Sequence, residues 1–183
     1  MIDFNGVIKA VYESNLPNNV KFEKIEELKV RHARVDFYAF RQYMHPKNKD
    51  GWFQRDVAEN LMQFYTDFTA GKRPKLVIEA PPQHGKSVQV VDFLAWLSGK
   101  IPDNKTIYTS FSERLGIRAN LTLQRTFDTD KFRKVFPEFT MPGRNVTISA
   151  QKLRNREIIE FTNGEGYFRN TTVQGSITGE SLD

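Results

Sequence analysis

The sequence contains no cysteine. This excludes a disulfide framework and any thiolate-ligated zinc centre, and it fits a reducing compartment. Histidine is nearly as scarce, with three residues. His32 and His45 sit on ordinary helical and loop segments with no acid–nucleophile partner nearby in sequence, so neither points to a triad or a metal site. No run approaches the roughly 18 consecutive apolar residues of a membrane helix, and Met1-Ile2-Asp3-Phe4 lacks the basic-then-apolar pattern of a signal peptide. The chain is therefore expected to be soluble and intracellular, with no membrane partner. Internal repeats and low-complexity tracts are absent, and the 8 prolines and 11 glycines are spread as punctuation.

What is present is a real core. The 183 residues are 39% hydrophobic and 13% aromatic, including 15 phenylalanines. That much apolar surface can offset the entropy of ordering the chain, for one domain or a core with a small appendage. The net charge of +5 is concentrated: Lys100 to Glu160 holds 12 basic and 7 acidic residues, and the remainder is neutral. Such an excess points weakly to a polyanionic partner, and equally well to a solvated basic face.

Residues 1 to about 20 read as a polar arm with at most one short helix. Phe22 to Met44 is helical in pattern, with a break expected near His32. Phe53, Val57, Leu61, Phe64, Tyr65 and Phe68 form an apolar stripe on one helix face, closed by Gly71. Leu76-Val77-Ile78 reads as a short strand covered on both faces. A helical pattern then runs through Val90, Val91, Leu94 and Leu97 to Gly99. Thr106–Thr109 reads as a second strand, Ser110-Phe111-Ser112-Glu113 as a capping box opening a helix to about Phe127, and Asp130–Phe136 as a shorter helix. Val146–Ile148, Glu157–Phe161 and Tyr167–Arg169 look like short strands, with Asn163-Gly164 as a hairpin turn between the last two. This order predicts an α/β fold with a parallel central sheet behind a helical N-terminal segment.

Between the Leu76–Ile78 run and the following helix lies Ala80-Pro81-Pro82-Gln83-His84-Gly85-Lys86-Ser87. It matches the phosphate-loop pattern G-x-x-x-x-G-K-[ST] with alanine in the first glycine position. Gly85 would let the backbone approach a phosphate without a Cβ clash, and amides of His84 to Ser87 would face the anion at a helix N-terminus. Lys86 would place its ammonium on the β- and γ-phosphates of ATP, and the Ser87 hydroxyl would ligate Mg²⁺. His84 would contribute its main chain, its side chain pointing away.

Together with Gly51-Trp52-Phe53-Gln54, the Pro-Pro-Gln-His-Gly-Lys-Ser loop resembles the ATPase domain of the large terminase subunit of tailed bacteriophages. That family commonly has a P-P-R-H-G-K-S loop and an upstream aromatic/Gln element at adenine. Tyr108-Thr109-Ser110-Phe111-Ser112 is similar to its Thr/Ser-rich turn, and Gly175-Ser176-Ile177-Thr178-Gly179 to a later Gly-Ser-x-x-Thr-Gly segment. The resemblance covers roughly residues 50 to 183.

The resemblance implies a truncated P-loop NTPase fold of RecA-like (ASCE) type, with a mainly parallel central sheet flanked by helices. It divides the chain into residues 1–72, an arm and helical segment with the adenine-side element, and residues 73–183, the ATPase core. It implies a motor that hydrolyses ATP to package double-stranded DNA into procapsids in the host cytoplasm, homo-oligomeric when assembled, with the portal protein and small terminase subunit as partners. A prophage copy would look the same. Gln54 becomes the adenine contact with Trp52 or Phe53 beside the base, and Lys86 and Ser87 the phosphate and Mg²⁺ residues. Gln83 stands where relatives have arginine. Arg114, Arg118 and Arg125 are then candidates for an arginine finger or for DNA contact, set against their being ordinary solvated helix residues. The family's paired metal-binding Asp and catalytic Glu follow a later apolar strand. Asp183 does not follow one, so weak or no hydrolysis by this chain is expected. A helicase-like translocase, or a non-catalytic module binding nucleic acid or a capsid partner, fits the same loop.

Overall fold

In the computed structural model, residues 3–144 and 152–173 are described. The chain divides into two units, Met1–Gln89 and Val90–Asp183.

The first unit is built from helices, and aspartates set the starts of two of them. The Asp3 carboxylate accepts from the Gly6 N–H at 2.9 Å and opens α1 (Phe4–Glu13). α2 (Asn18–Val35) and α3 (Phe37–Met44) follow. The break between them falls at Asp36 rather than near His32. Asp36 is extended, and its side chain accepts from the Ala39 N–H at 2.7 Å, so it ends one helix and caps the next. α3 buries Phe37, Phe40 and Tyr43. The phenol of Tyr43 donates to Glu26 on α2 at 2.7 Å. The stripe expected on α4 (Trp52–Thr69) is there, with Val57 and Leu61 buried and the aromatic members half-buried. The helix ends before Gly71, whose φ of +76° is the left-handed conformation that favours glycine.

Leu76-Val77-Ile78 is not a strand. The segment is extended but pairs with no other strand among the described residues, and Val77 is 80% exposed. An apolar run of this length matches the composition of a buried strand, yet a strand exists only where a neighbour takes up its N–H and C=O groups. The expected P-loop NTPase architecture is overturned with it. The described chain is mostly helical, and its sheet is a small mixed one of three strands rather than a mainly parallel central sheet.

That sheet lies in the second unit, which also holds α5 from Val90 onward (the helix is Lys86–Lys100). β1 (Lys105–Ser110), α6 (Glu113–Phe127), α7 (Asp130–Val135), β2 (Ile158–Glu160) and β3 (Tyr167–Thr172) complete it. β3 is central, parallel to β1 with Thr106 opposite Phe168, and antiparallel to β2 with Ile159 opposite Phe168. The hairpin expected at Asn163-Gly164 thus joins β2 to β3. Ser110 does not form a capping box: its hydroxyl donates to the Ser112 carbonyl at 2.8 Å, Ser112 is the N-cap, and α6 starts at Glu113. The run Val146–Ile148 lies outside the described residues, as does the Gly175–Gly179 segment.

Phenylalanine dominates this core. Phe127, Phe132, Phe139 and Phe161 are all buried, with ring centroids of Phe127 and Phe139 4.6 Å apart and of Phe139 and Phe161 5.0 Å apart. Beside them sits a buried cation. Arg154 donates to Gln124 on α6 at 3.1 Å, to the Pro142 carbonyl at 3.1 Å and to Asp128 at 2.7 Å. Arg144 holds the same Asp128 oxygen at 2.7 Å.

Candidate functional site

The loop that joins the extended segment to α5 turns twice in the left-handed region, at Gln83 (φ +67°) and Gly85 (φ +77°). Glycine tolerates that conformation freely, and glutamine adopts it only at a cost. The Gly85 carbonyl accepts from the Gln89 N–H at 3.0 Å, the first bond of α5. The amides of the residues between them have no partner within the helix and point out of its positive end. A helix of 15 residues is long enough to carry that field.

The side chains of the loop fall as follows. The Lys86 ammonium folds back and donates to the Ala80 carbonyl, spanning the loop from end to start. Ser87 is exposed on the first turn of α5. The His84 ring lies against the loop's own backbone, with Nδ1 3.0 Å from the Pro82 carbonyl oxygen. Phe53 meets it edge-on at 6.2 Å, and Trp52, 81% exposed, meets Phe53 edge-on at 6.0 Å.

Gln54 is brought to the loop across 30 residues of sequence: its Nε2 donates to the His84 carbonyl at 3.4 Å. Its other end is engaged too, with Oε1 accepting from the Gly51 N–H at 2.9 Å, so that it closes the first turn of α4. One half of the amide therefore caps α4 and the other ties that helix to the loop.

Beside the loop opens a cavity of about 390 Å³ formed within the first unit. Arg41, Lys47 and Lys49 line it with a single carboxylate, Asp50, and Gln54, Gln83, His84, Gly85 and Gln89 complete most of its wall. Arg41 is buried and 3.5 Å from Asp50. A net positive wall next to a helix N-terminus is suited to a polyanion. No family model, curated protein or solved structure matches this chain.

Among the described residues no group of three or more His, Asp or Glu could hold a metal ion. The Ser87 hydroxyl fits one ligand position of Mg²⁺, an ion that takes most of its other oxygens from phosphate and water. Asp183 lies outside the described residues. Arg114, Arg118 and Arg125 belong to the second unit, exposed on α6, and none forms an ion pair among the described residues. At 100° per residue the three fall within about 40° of one another, a single stripe along the helix. No helix among the described residues is long and apolar enough to cross a membrane.

Sequence reasoning missed Arg41 and Gln89. A signal for Gln89 existed: it shares a helix face with Phe93 and Trp96, four and seven residues on, both buried, so a polar group there breaks an apolar stripe.

Proposed function

We propose that residues 80–87 form a phosphate-binding loop for ATP and Mg²⁺, and that the chain is the ATP-binding part of a DNA-packaging motor resembling the large terminase subunit of tailed phages. The observation that carries this reading is the left-handed turn at Gly85 leading directly into α5, with Lys86 closing over the loop and a basic cavity at its mouth. Three residues and the main chain of the loop support it together. Gly85 keeps the approach open, since a Cβ there meets nothing within 4 Å. The amides and the helix field meet the phosphate charge, and Lys86 exchanges the Ala80 carbonyl for phosphate oxygen. Ser87 supplies a hydroxyl for the cation.

Double-stranded DNA is the proposed partner, with the Arg114/Arg118/Arg125 stripe as its contact. Phosphate neutralisation there would make retention fall with salt at a slope of about −0.9 per contact. Assembly as a homo-oligomer, contacts with portal and small subunit, and residence in the host cytoplasm belong to the same proposal.

The direct test is thermal melting with and without Mg²⁺-ATP. A ligand at about 100 times its Kd stabilises the native state by about 2.7 kcal/mol, a shift of several degrees. Lys86→Ala should abolish the shift. An unchanged melting temperature at millimolar Mg²⁺-ATP would refute the reading.

A further inference from the structure

We infer that Gln89, and not Gln54, reads the base of the bound nucleotide, and that it selects adenine over guanine. This rests on the phosphate-loop reading and goes a step further, to which residue sets ligand specificity.

The Gln54 amide is engaged at both ends, Oε1 by the Gly51 N–H at 2.9 Å and Nε2 by the His84 carbonyl at 3.4 Å. Those two bonds fix the orientation of the amide within the fold, with one N–H and one lone pair left over. Gln89 is the opposite case. It is completely buried and lines the cavity, yet neither its Oε1 nor its Nε2 has a hydrogen-bond partner among the described residues. Buried polar atoms are nearly always satisfied, and leaving an amide unpaired is strongly unfavourable. An amide kept in that state beside a cavity, one helical turn beyond Gly85, is one whose partner arrives with the ligand.

The chemistry of a primary amide then narrows the class. It offers one acceptor and one donor side by side, which complements the N6–H donor and N7 acceptor of adenine. Guanine shows two acceptors, O6 and N7, on the same edge, and one half of Gln89 would stay unpaired against it. Gln54 becomes a positioning residue that holds α4 to the loop.

Calorimetric titration of the full chain with ATP, GTP and inorganic tripolyphosphate, each with Mg²⁺, separates this inference from the reading beneath it. The expected order is ATP, then GTP, then tripolyphosphate, with ATP tighter than GTP by roughly tenfold or more, the discrimination of one bidentate amide–base pair. Gln89→Met, close in shape and free of polar atoms, should weaken ATP by roughly tenfold and bring it level with GTP while leaving tripolyphosphate unchanged. Gln54→Ala should weaken all three alike. Equal affinity for ATP and GTP with tripolyphosphate still bound overturns the inference alone, as does tighter GTP or an unaltered ATP:GTP ratio in Gln89→Met. An unaltered ratio would mean that Gln89 is satisfied by a buried water instead. No binding of any of the three overturns the phosphate loop and this inference with it. The wild-type comparison can overturn the inference even if Gln89→Met does not fold, and Gln89→Glu, which keeps the size and removes the amide donor, then tests the residue itself.

Discussion

Replacing Arg154 with methionine is expected to destabilise the second unit by about 3 kcal/mol at neutral pH, the usual scale for removing one partner of a buried charged pair. The side chain is 4% exposed and serves three acceptors. Methionine keeps the buried stem and removes only the guanidinium. Gln124 and the Pro142 carbonyl would each be stranded, at about 1 kcal/mol apiece. The charge-assisted bond to Asp128 would be lost for about another 1.5 kcal/mol, tempered because the guanidinium is no longer desolvated. Arg144 at 2.7 Å and Arg133 at 3.7 Å remain on Asp128, which limits the damage there.

The effect should depend on pH in one direction. Burial pushes the Asp128 carboxyl up, but hydrogen bonds from Arg154 and Arg144 and their charges outweigh it and hold the group below its ordinary value. A depressed carboxylate binds fewer protons in the native state than in the unfolded one. Its contribution is therefore complete above the unfolded value of about 3.9 and is lost as pH falls through the native value beneath it. The gap between wild type and Arg154→Met should narrow once the pH drops below about 4. Urea unfolding followed by Trp96 fluorescence suits the measurement, since Trp96 is buried in the second unit whereas Trp52 is largely exposed. With a slope of about 1–3 kcal/mol/M, the midpoint should fall by at least about 1 M at pH 7. A loss under about 0.5 kcal/mol, the level of an ordinary surface substitution, or one that is the same at pH 7 and at acid pH, would refute the reasoning.

Phe127→Ala removes the ring that contacts Phe132, Phe139 and Phe161, and should cost about 3–5 kcal/mol in the same urea experiment. Gly99→Ala would drive a methyl into the Phe136 ring, and an overpacking loss of about 1–3 kcal/mol is expected in a thermal melt. Gly85→Ala meets no atom within 4 Å, so its penalty is conformational, about 1–2 kcal/mol for a φ of +77°, and calorimetry should show weaker Mg²⁺-ATP binding alongside it.

Sequence periodicity located most elements because their physics is local. The α4 stripe, the Asn163-Gly164 hairpin and the turn into α5 at Gly85-Lys86 each follow from residues within one or two turns of each other. Leu76–Ile78 failed for the converse reason: its state depends on a partner strand elsewhere in the chain, which composition does not report. The α2–α3 break moved from His32 to Asp36 because a single carboxylate bonding to the Ala39 N–H decides it. At the candidate site, Gln54 and Gln89 look equivalent on paper. Which amide is engaged depends on a carbonyl 30 residues away in the case of Gln54, and only folding supplies it.

The unladdered stretch from Lys75 to Glu79 also sets a clock. Its amides, unprotected by any strand among the described residues, should trade hydrogen for deuterium at close to the rate of a free peptide, while those of α4 and α5 exchange only when a helix opens. Lys86 grips the carbonyl of Ala80 at the far end of that stretch. When a phosphate draws the ammonium away, Ala80 loses its tether. The amides upstream already exchange freely, so exchange mass spectrometry should find their tempo unchanged as ligand arrives, an internal reference against which slowing in the loop itself can be read.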